Sequence, residues 1–296
     1  MIVVLSGGVG AARMLRALSL VMPPEELVAV VNTGDDLELY ALAVSPDLDT
    51  VTYTLAGAIN EETGWGLTGE SFSALGALAR YAVPTWFGLG DKDLATHLYR
   101  TMRLRAGVPL STVTAEIAAA WGVKARVLPM SDGRVRTKLA LLDGEEIDFQ
   151  EYFVQRRHEV AVASVRFDGV ESVTPAPGVI EALRDAELVV VAPSNPIVSI
   201  GPILAVPGLR QLLQARRASV VAVSPIIGGR ALKGPADRLL VELGGEASAL
   251  GVATHLREVV GSFVIDNVDA PLVSAIEALG IRVITTETIM RNQEIS

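Results

Sequence analysis

Two unbroken apolar runs separated by a glycine turn fix how this chain begins to fold. Ile2-Val3-Val4-Leu5 and Leu27-Val28-Ala29-Val30-Val31 contain no polar residue. A half-exposed strand alternates apolar and polar residues, whereas an uninterrupted apolar strand is buried on both faces, as in a parallel sheet covered by helices. Ser6-Gly7-Gly8-Val9-Gly10 follows the first run, then an Ala-, Leu- and Arg-rich stretch that ends before Pro23-Pro24. Proline cannot continue a helix interior, so the order is strand, glycine turn, helix, strand: a βαβ unit with a right-handed crossover. The same alternation returns later. Residues 187–193, 219–224, 262–266 and 281–285 read as strands, with helices predicted over 206–215, 235–243, 249–260 and 271–279. The expected fold is α/β, a Rossmann-like doubly wound and mostly parallel sheet.

The middle of the chain breaks this rhythm. Helical patterns cover residues 72–81, 91–105 and 111–121, and short strand-like pieces with turns at Ser131-Asp132-Gly133 and Asp143-Gly144 run from 123 to 149. All three tryptophans (Trp65, Trp86 and Trp121) fall here. The expected organisation is a core of residues 1–56 and 160–296, with residues 57–159 forming an inserted mixed, largely helical subdomain over the carboxyl ends of the strands.

Composition narrows the function. A formal net charge of −9 is wrong for a non-specific nucleic-acid binder, which needs clustered Lys and Arg. The absence of cysteine excludes disulfides, thiolate catalysis and Cys-ligated metals. No apolar run reaches the about 18–20 residues of a membrane-spanning helix, and the first residues lack a basic region and cleavage site. A cytoplasmic protein without nucleic-acid or membrane partners is expected.

Polar loops at the strand ends carry the candidate chemistry. The glycine turn with Ser6, Gly7, Gly8 and Gly10 can bring backbone amides to an anion at a helix start. It lacks the Gly-Lys-Ser/Thr of a P-loop and the third glycine of a dinucleotide fingerprint. Asn32-Thr33-Gly34-Asp35-Asp36 ends the second strand, and Asp47 and Asp49 follow in Ser45-Pro46-Asp47-Leu48-Asp49-Thr50. Four carboxylates in so short a span suit a hard cation such as Mg²⁺. A ribose contact and plain turn or cap chemistry are the other readings of the same residues. Gly88-Leu89-Gly90-Asp91-Lys92-Asp93 resembles a loop entering a helix, with Asp91 as its cap and Lys92 free for a phosphate or ring oxygen; Trp86-Phe87 could line the pocket of a flat ligand. Ser194-Asn195 and Gly228-Gly229-Arg230 close two later strands and add polar hooks and anion donors. His97 reads as a helix-surface or packing histidine, and His158 as part of a solvated basic cluster.

Taken together, these strings resemble the 2-phospho-L-lactate transferases of coenzyme F-420 biosynthesis, including their bacterial phosphoenolpyruvate-using counterparts. LSGGVGAARML from Leu5, VNTGDDLELY from Val31, SPDLDTVTYTLAG from Ser45, GLGDKDLATH from Gly88, APSNPIVSIGPIL from Ala192 and VSPIIGGRALKGPADRLL from Val223 carry the likeness across most of the chain. The resemblance implies a Mg²⁺-dependent homodimer whose partners are the deazaflavin Fo and a guanosine diphosphate-linked small acid. In the reaction it implies, the ribityl hydroxyl of Fo attacks the distal phosphorus of the donor and GMP leaves. It places Asp49 and Lys92 at the deazaflavin; the reading of the acidic residues themselves adds the metal at Asp35, Asp36 and Asp47 and catalytic roles on Asp49 and Asp36. Ser6, Gly7, Gly8, Gly10, Asn32, Ser194, Asn195, Gly228, Gly229 and Arg230 are the expected donor contacts. The acid itself (2-phospholactate, phosphoenolpyruvate or 3-phosphoglycerate) is left open. A rival reading is a non-enzymatic nucleotide-sugar-binding regulator of the gluconeogenesis-factor-like type, which shares the glycine-rich start and the NTGDD-like second strand.

Overall fold

A computed structural model describes residues 1–290. Its centre is a seven-stranded sheet, whose strands are numbered here in chain order: β1 (Ile2–Ser6), β2 (Leu27–Val31), β3 (Arg126–Pro129), β4 (Leu188–Val191), β5 (Val220–Val223), β6 (Ser262–Asp266) and β7 (Arg282–Thr286). Their spatial order is β7-β6-β5-β4-β1-β2-β3, and every neighbouring pair is parallel. The order reverses between β1 and β4, which makes a topological switch point. In open α/β sheets ligands bind there, beyond the carboxyl ends of the strands.

The pleat of β1 explains how the sheet is covered. Val3 and Leu5 enter one core, with Val28, Val30, Val189 and Val191 from the adjoining strands. Val4 enters the other, with Ala29, Val31 and Val190. The second core is closed by α1 (Val9–Val21), α2 (Pro46–Leu55) and α5 (Leu110–Ala120), through Ala11, Leu15, Leu48, Val51 and Leu110. Each of these side chains moves from water to close packing; at about 25 cal/mol per Å² a buried Leu or Val contributes roughly 1.5–3 kcal/mol.

The other core takes Leu183 of α6 (Val179–Asp185), Ile203 of α7 (Ile200–Ala205), Leu213 of α8 (Leu209–Ala215), Leu239 of α9 (Ala236–Glu242), Ala253 of α10 (Ala249–Leu256) and Ile276 of α11 (Val273–Glu277). A three-stranded antiparallel sheet (Arg136–Leu141, Glu146–Asp148, Val162–Asp168) adds Leu139, Leu141 and Ile147 to it.

Residues 126–129, expected within the insertion, form the edge strand of the central sheet, with Ala29 opposite Val127 and Val30 opposite Leu128. Helices α3 (Ser73–Leu78) and α4 (Asp93–Arg105) stand in the helical middle region. No residue of α3 is buried. Asp91 does act as a cap, but of α3: it accepts from the amides of Ser73 and Ala74, both at 3.0 Å. Glu70 returns the favour at the start of α4, accepting from the amides of Lys92 at 2.9 Å and Asp93 at 2.8 Å. Among the described residues, no helix is long and apolar enough to cross a membrane.

Candidate active site

A cleft of about 390 Å³ opens at the carboxyl ends of the strands. Gly8, Gly10 and Arg13 reach it from β1, Asp35, Asp47, Asp49 and Tyr53 from the segment after β2, Ser194 and Asn195 from β4, Ile227 and Lys233 from β5, and Thr288 to Met290 from β7. Trp65, Phe87, Phe149 and Phe153 supply aromatic walls.

The glycines of the first turn serve different ends. A Cβ on Gly8 would lie 2.7 Å from Oδ1 of Asp47, so the turn and the carboxylate are in contact. A Cβ on Gly10 would collide with the carbonyl of Pro193, which makes this glycine a packing requirement between α1 and the β4 loop. Gly7 donates its amide to Oγ of Ser194 at 3.2 Å, tying the two loops together. Ser6 is turned inward, its hydroxyl donating to the carbonyl of Val4 at 3.2 Å.

Asn32 organises the first group of acids. Its Nδ2 donates to Oδ2 of Asp35 at 3.0 Å and to Oδ2 of Asp47 at 3.1 Å, and its Oδ1 accepts the amide of Gly34 at 2.8 Å. Asp36 points elsewhere and accepts from the hydroxyl of Ser45 at 2.7 Å. The second oxygens of Asp35 and Asp36 are buried without a well-formed hydrogen bond, the Thr137 hydroxyl standing near the Asp35 carboxylate. Burial, followed by the charge of Asp47, holds the Asp35 carboxyl well above the ordinary carboxylate range. Desolvation pushes Asp36 up to about 7 against the Ser45 hydroxyl and the charge of Arg136. It also pushes Asp47 up to about 7 despite Asn32. Carboxylates withdrawn from water without a counter-charge are costly, and a hard divalent cation with oxygen ligands answers this deficit. Asp35 and Asp47, both on the cleft wall, fit such an ion.

The second group of acids is paired internally. Arg100, on α4 and 2% exposed, grips Asp49 with both terminal nitrogens: Nη1 meets Oδ2 at 3.0 Å and Nη2 meets Oδ1. Nη1 also lies 3.2 Å from Nδ1 of His97. A guanidinium only donates, so Nδ1 accepts and the ring proton of neutral His97 sits on Nε2, 3.2 Å from Oδ2 of Asp93. The Tyr53 hydroxyl donates to the other oxygen of Asp93 at 2.6 Å. Burial works to raise Asp93, but the hydrogen bond from His97, then that from Tyr53, outweigh it and hold the carboxyl below its ordinary value. Asp49, Asp93 and His97 are also the one group among the described residues whose ligand atoms come within 4.8 Å of one another, so they could hold a metal. The Arg100 charge already sits on Asp49, and a nitrogen ligand suits softer ions than Mg²⁺.

Of the residues selected from sequence, Gly8, Gly10, Asp35, Asp47, Asp49, Ser194 and Asn195 wall the cleft. Ser6, Gly7, Asn32 and Asp36 stand behind them and hold them in place. The Nδ2 of Asn195 is buried without a partner, while its Oδ1 accepts from the amide of Ile197 at 2.9 Å. Lys92 and the Gly228-Gly229-Arg230 string are not among the wall residues. Lys92 is exposed and donates to the carbonyl of Thr68 at 2.8 Å. Gly228 and Gly229 adopt φ of 57° and 80° in a tight hairpin, and the amide of Gly228 already donates to both oxygens of Asp269 at 3.1 Å. His97, 1% exposed, belongs to the polar network rather than to a surface. Sequence reasoning missed Arg100, Tyr53 and Lys233 as members of the site. The spacing of Asp93 and His97, one helical turn apart, was the available signal for the first two.

The family described as 2-phospho-L-lactate transferase CofD matches residues 2–288. A phosphoenolpyruvate transferase of Streptomyces griseus is 49% identical over 286 residues, covering 95% of this chain and 90% of that protein. One of Thermobifida fusca is 44% identical, covering 93% and 88%. Among solved structures, a protein of the UPF0052 family from Bacillus halodurans superposes with a TM-score of 0.62 at 16% identity, covering 97% of this chain and 92% of the other. At that identity the likeness is one of fold.

Proposed function

This chain belongs to the 2-phospho-L-lactate transferase CofD family, and from that premise we propose that it transfers an enolpyruvyl-phosphate group from a guanosine diphosphate donor to the ribityl hydroxyl of the deazaflavin Fo, releasing GMP and forming dehydro coenzyme F-420-0. The choice of acid follows the names of the similar proteins; 2-phospholactate and 3-phosphoglycerate are the competing donors. The observation that carries this reading is the meeting of the glycine turn with Asp35, Asp47 and Asp49 in one cleft at the switch point. The proposal includes a homodimer.

In this scheme the acceptor oxygen bonds to the distal phosphorus, the bond from that phosphorus to the bridging oxygen breaks, and GMP leaves with the electron pair. Asp49 receives the hydroxyl proton, and the two-point grip of Arg100 fixes the direction in which its carboxylate faces. The glycine turn and the free Nδ2 of Asn195 meet the donor's oxyanions. Asp35 and Asp47 would hold Mg²⁺, which supplies charge neutralisation at the diphosphate. Asp36 acts through Ser45 and is a positioning residue. Phosphoryl transfer of this kind depends on positioning and charge stabilisation more than on a covalent nucleophile. Trp65 and Phe87 offer flat walls for the deazaflavin ring. Mass spectrometry of the product formed from Fo and each of the three guanosine donors tests the proposal. A dehydro coenzyme F-420-0 mass from the enolpyruvyl donor is expected; no product from any donor contradicts it.

A further inference from the structure

Some arginines close to the cleft spend their charge on an acid. Arg16, on the same helix as Arg13, meets Glu61 at 3.3 Å, and Arg100 grips Asp49. Arg13 and Lys233 do not. Both wall the cleft, and neither forms an ion pair among the described residues. Among the described residues Lys233 donates only to the carbonyl of Thr63, at 3.2 Å, and Arg13 makes no hydrogen bond.

The two side chains come from different elements and both reach the cleft. Arg13 lies on the exposed side of α1, and Lys233 on the loop between β5 and α9. A Cβ on Gly64 would sit 3.0 Å from Nζ of Lys233 and 3.0 Å from Cγ1 of Val9, so the ammonium lies beside the first turn of α1. That turn carries no acidic residue. The loop bearing Lys233 is fixed further along by Gly228 and Asp269. Partial burial, and then the charge of Arg13, hold Lys233 below its ordinary value, as two like charges without a counter-ion do. In a chain of formal charge −9, two unneutralised cations beside the glycine turn are a local reversal of sign. Like charges held together without an acid between them are stabilised by an anion that bridges them.

We propose that Arg13 and Lys233 form an oxyanion subsite for the donor, a cationic counterpart to the acids that wall the same cleft. The inference rests on the transferase reading, in which the donor carries oxyanions of two kinds: its diphosphate and the carboxylate of its acid.

Calorimetry without acceptor separates these sources. GDP and lactyl diphosphoguanosine are titrated, with Mg²⁺ present, into wild-type protein, Arg13→Ala, Lys233→Ala, the double variant and the conservative pair Arg13→Lys and Lys233→Arg. The double variant is expected to lose tenfold or more in affinity, with the conservative pair retaining most of it. Equal loss for both probes assigns the subsite to the diphosphate, and loss for the acid-bearing probe alone assigns it to the carboxylate. Affinities within twofold of wild type for both probes, in a double variant of unchanged Tm, overturn the subsite and leave the transferase reading standing. Wild-type protein that binds neither probe contradicts the transferase reading itself.

Discussion

Asp35 and Asp49 face the same cleft and are equally withdrawn from water, 4% and 5% exposed, yet they live in opposite electrostatic settings. Asp49 has a guanidinium on both oxygens and closes a network with His97, Asp93 and Tyr53. Asp35 has one amide nitrogen, shared with Asp47, and a second oxygen approached only by the Thr137 hydroxyl, with no counter-charge. Burial alone therefore does not set the state of a carboxylate; the partners that burial brings with it do. The Asp49 side already has its counter-charge within the chain. The Asp35 side is incomplete until something positive arrives.

The largest effect expected from this contrast is on stability. Arg100→Met strands Asp49 in a buried site, and breaking a buried pair by removing one partner costs about 3–5 kcal/mol. Asp35→Asn removes an uncompensated charge and is expected to leave metal-free protein as stable as wild type or more so. Urea unfolding in chelator measures both; equal destabilisation by the two variants breaks the comparison.

An intermediate effect concerns pH. Folding raises Asp36 and Asp47 from 3.8 to about 7, so the folded state binds their protons more tightly than the unfolded chain does. Their contribution favours folding in full below pH 3.8 and is lost as pH rises through about 7. Metal-free protein should lose several degrees of Tm between about pH 5 and 8. Mg²⁺ should restore more at the upper end, where no proton competes. Asp47→Asn should flatten the profile, and a wild-type profile that rises over this range would oppose the assignment.

How much of this was legible in the sequence differs between the two sides. The strands were, because β1, β2 and β4 are apolar without interruption. The place of β3 in the central sheet was not: Arg126 and Pro129 dilute its pattern, and its pairing with β2 is made across the whole helical middle. The Asp35 side is nearly contiguous, so Asn32, Asp35 and Asp36 declared themselves as one motif. The Asp49 side depends on Arg100, 51 residues away. No local spacing marks such a pair. That the Gly228 amide is already taken was hidden for the same reason, since Asp269, which accepts it, lies 41 residues on.

The smallest effect is expected at Lys92. Its ammonium is held by Thr68 outside the cleft wall, so Lys92→Ala should change the acceptor KM by less than about twofold. Asp49→Asn should lower kcat by a factor of 100 or more, on the order of general-base contributions. A tenfold rise in acceptor KM for Lys92→Ala in steady-state kinetics would instead bring Lys92 to the deazaflavin.

The central claim is that a divalent ion completes the Asp35 side and not the Asp49 side. Calorimetric titration of Mg²⁺ into GDP-loaded protein at pH 8 tests it directly, with Asp35→Asn and Asp93→Asn as the two variants. The account predicts one ion per chain for wild type, affinity weakened tenfold or more in Asp35→Asn, and affinity unchanged in Asp93→Asn. Loss of binding in Asp93→Asn with retention in Asp35→Asn would move the ion to the Asp49, Asp93 and His97 group and contradict it.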